Sequence, residues 1–179
     1  MDYRDAAAFM ASVRSRPAMA ARALEFLILT ATRTIETLGA TWDEIDLAAK
    51  IWVIPAERMK MDREHRVPLS EPALDLLRRL LEVRQGKHVF PSIRADQPLS
   101  NMAILTLLKR MGRSDITAHG FRSTFRDWVA EATEHPGEVA EMALAHAIGN
   151  KVEAAYRRGD LFDKRRRLMA DWAAFCGAS

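Results

Sequence analysis

Six residues of this chain have the types and the order that phosphoryl chemistry asks for. They are Arg33 after an apolar run, Lys60 in a polar stretch, His119 and Arg122 as His-x-x-Arg, His146 ahead of Gly149, and Tyr156 in a basic segment. A phosphodiester carries one negative charge, and its trigonal-bipyramidal transition state gathers more on the equatorial oxygens. Two guanidiniums can each present a planar donor fork to those oxygens, which a point-charge lysine does less well. A tyrosine hydroxyl, with an ordinary pKa of about 10, needs an acceptor or a strong positive field to lose its proton. Lysine and histidine can carry protons to the leaving oxygen and away from the attacking one. Without metal or nucleotide, the energy of the broken bond stays in a phosphotyrosine ester, which suits breaking and rejoining better than hydrolysis. Taken singly, each residue has a plainer reading: a solvated or ion-paired arginine, a structural histidine at a helix start, a core tyrosine beside Ala154-Ala155.

Other chemistries find no support in the spacing. The histidines at 65, 88, 119, 135 and 146 form no close pair of the kind structural zinc favours, and Cys176 is the lone cysteine. Gly-rich phosphate loops and a Gly-x-Ser-x-Gly elbow are absent. Neither a metal nor a nucleotide or nicotinamide cofactor is expected.

The elements that must position these residues are mostly helical. Apolar spacing predicts helices over Asp2 to Arg14 and Ala18 to Thr32, with a short one from Thr34 closed by Gly39-Ala40. The β-branched run Ile51-Trp52-Val53-Ile54 stops at Pro55 and His65-Arg66-Val67 stops at Pro68, so the two read as a β-hairpin with Lys60 near its tip. Ser70 is expected to cap a helix running to a stop near Gly86, and Ser100 to Met111 to form another, stopped by Gly112. A helix from Thr117 to about Thr133 puts His119, Arg122 and Arg126 near one face. Pro136 at a first helical position starts the next, running to His146 and ended by Gly149; Val152 to Arg158 and Leu161 to Phe175 complete the set.

Composition agrees with one globular domain. The 179 residues are 49% apolar and 28% charged with a net charge of +3, too apolar and too nearly neutral for a disordered chain. The longest apolar run, Phe26-Leu27-Ile28-Leu29, is far short of the roughly 18 residues of a membrane span. No secretory signal opens the chain, so a reducing cytoplasm is expected and no membrane partner. Charge is uneven: Lys151 to Arg167 holds seven basic and three acidic residues, a local +4 that reads as a solvated helix face or, second, as a polyanion contact.

In their order and local context these residues resemble the tyrosine recombinases, closely the phage and genomic-island integrases, over about Ala21 to Phe175. Phe26 to Glu36 looks like the first motif, with Arg33 the first catalytic arginine and Glu36 its supporting acid. Ile54 to Lys60 followed by His65 to Ser70 is similar to the hairpin that carries the catalytic lysine, here Lys60. His119-Gly120-Phe121-Arg122, Leu144-Ala145-His146 and Ala155-Tyr156 match the remaining three motifs. The resemblance implies an α+β, mainly α, catalytic-domain fold with a small antiparallel sheet or hairpin. It implies that Tyr156 attacks the scissile phosphate to give a 3′-phosphotyrosyl link, that Arg33 and Arg122 hold the nonbridging oxygens and that His146 adds a donor. Lys60 would be the general acid and His119 the base near the tyrosine.

The same resemblance implies double-stranded DNA attachment sites as partner, a tetramer on two duplexes, and nucleoid association when DNA is bound. Residues 1–179 are expected to be the C-terminal catalytic domain, without the N-terminal core-binding and arm-binding domains. By analogy Leu161 to Phe175 is a candidate intersubunit helix, with an ordinary intramolecular helix the alternative. Two positions depart from the family pattern: Ala31 stands where glycine is usual and Ile35 where a small residue is frequent, both expected to crowd the turn around Arg33. A DNA-binding remnant without catalysis and a type IB topoisomerase are the competing functions.

Overall fold

The computed structural model describes residues 1–94, 96–146 and 159–178. The helices are α1 (Ala6–Arg14), α2 (Met19–Thr30), α3 (Thr34–Leu38), α4 (Glu71–Glu82), α5 (Asn101–Arg110), α6 (Gly120–Ala132), α7 (Gly137–Ala143) and α8 (Phe162–Gly177). The strands are β1 (Ile45–Asp46), β2 (Ile51–Ile54) and β3 (His65–Pro68).

Helix α2 is apolar on nearly every side and so becomes the hub. Ala21 and every residue from Ala23 to Thr30 are buried, and α1, α3, α4, α5 and α8 all pack on it. The one carboxylate in its interior, Glu25, is 2% exposed and is matched by Arg14 Nε at 2.7 Å and Arg22 Nη1 at 3.2 Å. The strands form an antiparallel sheet in the order β1-β2-β3, with Trp52 opposite both Ile45 and Val67. Trp52 is fully buried and its ring lies 5.3 Å from that of Phe26, which seats the sheet on α2. Strand β1 escapes the sequence reading because two residues are too few to show an alternation; its partner β2 defines it.

Helix α8 packs on α1, α2, α7 and β3 of its own chain, the intramolecular of the two expectations for this segment. Its Trp172 is fully buried, donates its indole N–H to Ile28 O at 2.7 Å and sits 5.0 Å from the ring of Trp128 on α6.

Helix ends depart most from the periodicity. Helix α1 is preceded by a 3-10 turn at Tyr3–Asp5, and α4 ends at Glu82, ahead of Gly86. Ser70 occupies the N-cap position of α4 but makes no capping bond with its side chain. Gly112 does end α5: at φ +72° it lets Arg113 N–H reach Leu108 O at 2.9 Å and close the helix. Helix α6 begins at Gly120 and not at Thr117, whose hydroxyl accepts the Gly120 N–H at 3.2 Å. Pro136 is the N-cap of α7 and not its first residue, and α7 stops at Ala143, three residues before His146. The expected helix Val152 to Arg158 lies outside the described residues.

Candidate active site

Arg33 is held by the turn between α2 and α3. Helix α2 ends with Ala31 in the left-handed region at φ +53°, which throws the chain sideways and leaves Arg33 extended as the N-cap of α3. Glu36, one turn into α3 and 2% exposed, then takes both ends of that arginine: the backbone N–H on Oε2 at 2.7 Å and Nη1 on Oε1 at 2.7 Å. A buried chain of hydroxyls stiffens the turn, with Thr30 and Thr32 at 3.0 Å and Thr32 and Thr37 at 2.8 Å. The guanidinium is thereby neutralised on one edge by Glu36, while Nη2 points at Ala145 O at 3.3 Å.

Arg122 comes to the same place from α6. Its side chain is buried, and its donors fit carbonyls freed at two helix ends: Nη1 to Ala31 O at 2.7 Å and Nη2 to Leu144 O at 2.6 Å. The second helix end is that of α7. Ala145 at φ +50° permits a closing pair of bonds, His146 N–H to Glu141 O at 2.9 Å and Ala145 N–H to Met142 O at 3.1 Å. That reversal turns His146 back toward the arginines, with Nε2 3.1 Å from Arg122 Nη2 and Nδ1 2.7 Å from Glu141 Oε2. Burial, with the Arg33 charge adding to it, brings the Arg122 guanidinium down to about 10 against the partial support of Glu36 and Glu141, so it stays charged at neutral pH. Two guanidiniums and an imidazole thus meet at neighbouring carbonyls, in an arrangement suited to an anion with several oxygens.

The hairpin that carries Lys60 is buckled to this turn from the other side. Lys60 follows Met59 in the tight turn closed by Asp62 N–H to Met59 O at 3.1 Å, exposed at the tip as its spacing predicts. Two residues earlier, Arg58 pairs with Glu44 and donates Nη2 to Glu36 O, and Glu44 also accepts the indole N–H of Trp52 at 2.8 Å. Gly39 makes room: a Cβ there would come 2.8 Å from Arg58 Nη2. His65, at the start of β3, is buried near Arg33 and Glu36. Burial first, then the nearby Arg165, pushes its imidazole down to about 4, so it is neutral at pH 7.

Of the six residues singled out by type and order, the structure brings Arg33, Arg122 and His146 together. His119 stands exposed at the N-terminus of α6, and no hydrogen bond or ion pair among the described residues ties it or Lys60 to the cluster. Tyr156 lies outside the described residues. Glu141, Arg58 and the Thr30–Thr32–Thr37 chain escape sequence reasoning. A spacing of five, from Glu141 to His146, is not a helical repeat, and the partners of Arg58 lie 14 and 22 residues away. The basic run is also less uniform than its charge suggests. Arg165, 1% exposed, spends its donors on Asp160 O, Asp160 Oδ2 and Arg66 O at 2.6–2.7 Å, while Lys164 and Arg167 are exposed. Among the described residues no three His, Cys, Asp or Glu side chains gather as a metal would need, and no helix is long and apolar enough to cross a membrane.

The profile of the phage integrase family matches residues 1–160. The chain belongs to the phage integrase family. Its relatives include prophage integrase IntA of Escherichia coli strain K12, 42% identical over 149 residues, a match covering 82% of this chain and 36% of that protein. Prophage integrase IntZ of the same strain is 37% identical, covering 84% of this chain and 38% of its own length. The integrase of Enterobacteria phage P4 is 33% identical, covering 93% and 42%. The chain therefore spans well under half the length of these curated relatives. Among solved structures, the integrase of the Tn1549 transposon in complex with circular intermediate DNA shares the fold with a TM-score of 0.58 at 14% identity, over 83% of this chain and 63% of that one. The tyrosine recombinase fold, mainly helical with a small antiparallel sheet, is the fold of this integrase-family chain. Its departures from the family pattern now have a physical account. Position 31, where glycine is usual, has a positive φ that alanine occupies at some strain, whereas Ile35 is 61% exposed and does not crowd the Arg33 turn.

Proposed function

We propose that this chain is the C-terminal catalytic domain of a tyrosine site-specific recombinase, integrating or excising a mobile element at double-stranded DNA attachment sites. The observation that carries the reading is the convergence of Arg33, Arg122 and His146 within a chain of this family. In the proposed reaction the Tyr156 oxygen attacks the scissile phosphorus, the bond to the 5′ oxygen breaks, and a 3′-phosphotyrosyl ester and a 5′-hydroxyl result. Lys60 gives its proton to the leaving 5′ oxygen and His119 takes the proton of the tyrosine. Arg33 and Arg122 hold the nonbridging oxygens, where charge accumulates, and His146 donates a further hydrogen bond. Rejoining is the reverse, with a 5′-hydroxyl of a partner duplex as nucleophile, so neither metal nor nucleotide is consumed. The active species is a tetramer on two duplexes in the cytoplasm, at the nucleoid.

Incubation with a nicked attachment-site duplex tests this. A covalent protein–DNA adduct that survives a denaturing gel, and is lost in Tyr156→Phe, is the expected result. DNA binding that weakens with salt and is unchanged by Tyr156→Phe, with no adduct on any cognate site, would make the chain a binding remnant. Relaxation of supercoiled plasmid without a site requirement would make it a topoisomerase.

A further inference from the structure

Glu141 has no part in the reaction just described, yet its carboxylate is fully engaged at the site. Oε2 meets His146 Nδ1 at 2.7 Å, and Oε1 receives Nε of Arg126, one turn beyond Arg122 on α6, at 2.6 Å. The placement follows from the way α7 ends. The bond from His146 N–H to Glu141 O folds the first residue past the turn back over the residue five before it, bringing the two side chains together. Half-buried, the carboxyl would be raised by desolvation, but the hydrogen bonds from Arg126 and His146 outweigh this and hold it below the ordinary carboxylate range. It is therefore an acceptor at neutral pH, with its orientation set from α6.

The contact on the other side of the ring assigns the proton. A guanidinium has donors only, so the 3.1 Å approach of Arg122 Nη2 requires a lone pair on His146 Nε2. The proton of the neutral ring then sits on Nδ1, facing Glu141. We infer that Glu141 is the positioning residue of His146: with Arg122 on the other side of the ring it holds the Nδ1–H tautomer, it fixes the ring plane, and it supports a second proton on Nε2 when a phosphate oxygen takes the place of Arg122 there. His146 thereby changes from an acceptor of the Arg122 N–H to a donor toward the phosphate, with Glu141 as partner in both forms. Arg122, Arg126 and Glu141 are the charged groups that face the ring from α6 and α7, and Arg33 lies beyond Arg122.

The inference rests on the recombinase reading only for its consequence in catalysis, and two measurements separate the two. Imidazole nitrogen chemical shifts of the whole chain, with His146 assigned by its loss in His146→Gln, report the tautomer without DNA. The neutral His146 is expected as a hydrogen-bonded Nδ1–H in the unaltered chain, retained in Glu141→Gln, which keeps an acceptor oxygen. In Glu141→Ala, where Arg122 still faces Nε2 but Nδ1–H has lost its acceptor, the Nδ1 resonance should lose the shift of a hydrogen-bonded Nδ1–H. An Nε2–H tautomer in the unaltered chain, or no change in Glu141→Ala, overturns the inference whether or not the chain cleaves DNA. On the nicked duplex, Glu141→Ala should lower the rate of adduct formation by about ten-fold or more. It should add nothing to the loss in His146→Gln, because both changes remove one function. Independent, multiplying losses in the double variant would assign Glu141 a merely structural role and overturn the inference as well.

Discussion

His65 and Arg122 are both basic, both buried and less than a tenth exposed, and they meet burial in opposite ways. Arg122 keeps its charge because burial and the Arg33 charge bring its guanidinium only down to about 10, against the support of Glu36 and Glu141, while Ala31 O, Leu144 O and His146 Nε2 take up its donors. His65 gives up its charge, since burial and the nearby Arg165 and Arg33 outweigh the pull of Glu36 and bring it from 6.5 down to about 4. A depressed basic pKa in the folded state means that the unfolded chain binds the extra proton first as pH falls. This contribution to stability is therefore fully present above pH 6.5 and is lost progressively down to about pH 4, to the extent of about 3 kcal/mol. Urea denaturation at pH 7, 5 and 4 should show the loss, and His65→Gln should flatten that part of the pH profile. An unchanged slope in the variant would mean that other groups carry the acid sensitivity.

At the scale of elements, the site is assembled by two helix ends more than by any helix face. Helix α2 and helix α7 each finish with an alanine at positive φ, Ala31 at +53° and Ala145 at +50°. The reversal at Ala31 delivers Arg33, the reversal at Ala145 delivers His146, and the carbonyls freed beside them bind the two arginines. A left-handed alanine is strained by roughly 1–2 kcal/mol, and a β-branched residue is worse because its second γ atom crowds the backbone. Ala145→Val is therefore expected to destabilise by about 1–3 kcal/mol and to weaken adduct formation more than it lowers the melting temperature. Ala145→Gly relieves strain but frees the unfolded chain by a similar amount, so its melting temperature should stay within a few degrees of the original. Equal melting temperatures for the two variants would show that the backbone at 145 adapts without strain. The hairpin is positioned the same way, through the clasp of Arg58 on Glu44 and Glu36 O, and not by contacts of Lys60 itself.

For the whole molecule, α2 is the hub and α8 the fastening. Trp172 fills the space between α2 and α6 and donates to Ile28 O, so Trp172→Ala should lower stability by about 3–5 kcal/mol, read as a lower urea midpoint. Trp172→Phe keeps a ring in that space and should lose less. A midpoint unmoved in Trp172→Ala would mean that α8 contributes little to the fold. Much of this architecture is legible in the chain itself. Nearly continuous apolar residues from Ala21 to Thr30 mark a buried helix, Ile51 to Ile54 and His65 to Val67 mark the hairpin, and Arg33, His-x-x-Arg and Leu-x-His mark the family, because these signals are local and repeat at the period of the element. The convergence is not local. Arg122 finds Ala31 O across 91 residues and Arg33 finds Ala145 O across 112, and no periodicity records such pairings. The amino-acid order by itself determined which residue types stand ready for the proposed phosphate chemistry and most of the helices and strands among the described residues. Only the tertiary structure decided that Arg165 is buried, that Ile35 is not, and that Glu141 stands behind His146, because burial and pairing depend on which surfaces meet once α7 has packed on α6 and α8 on α2 and α7.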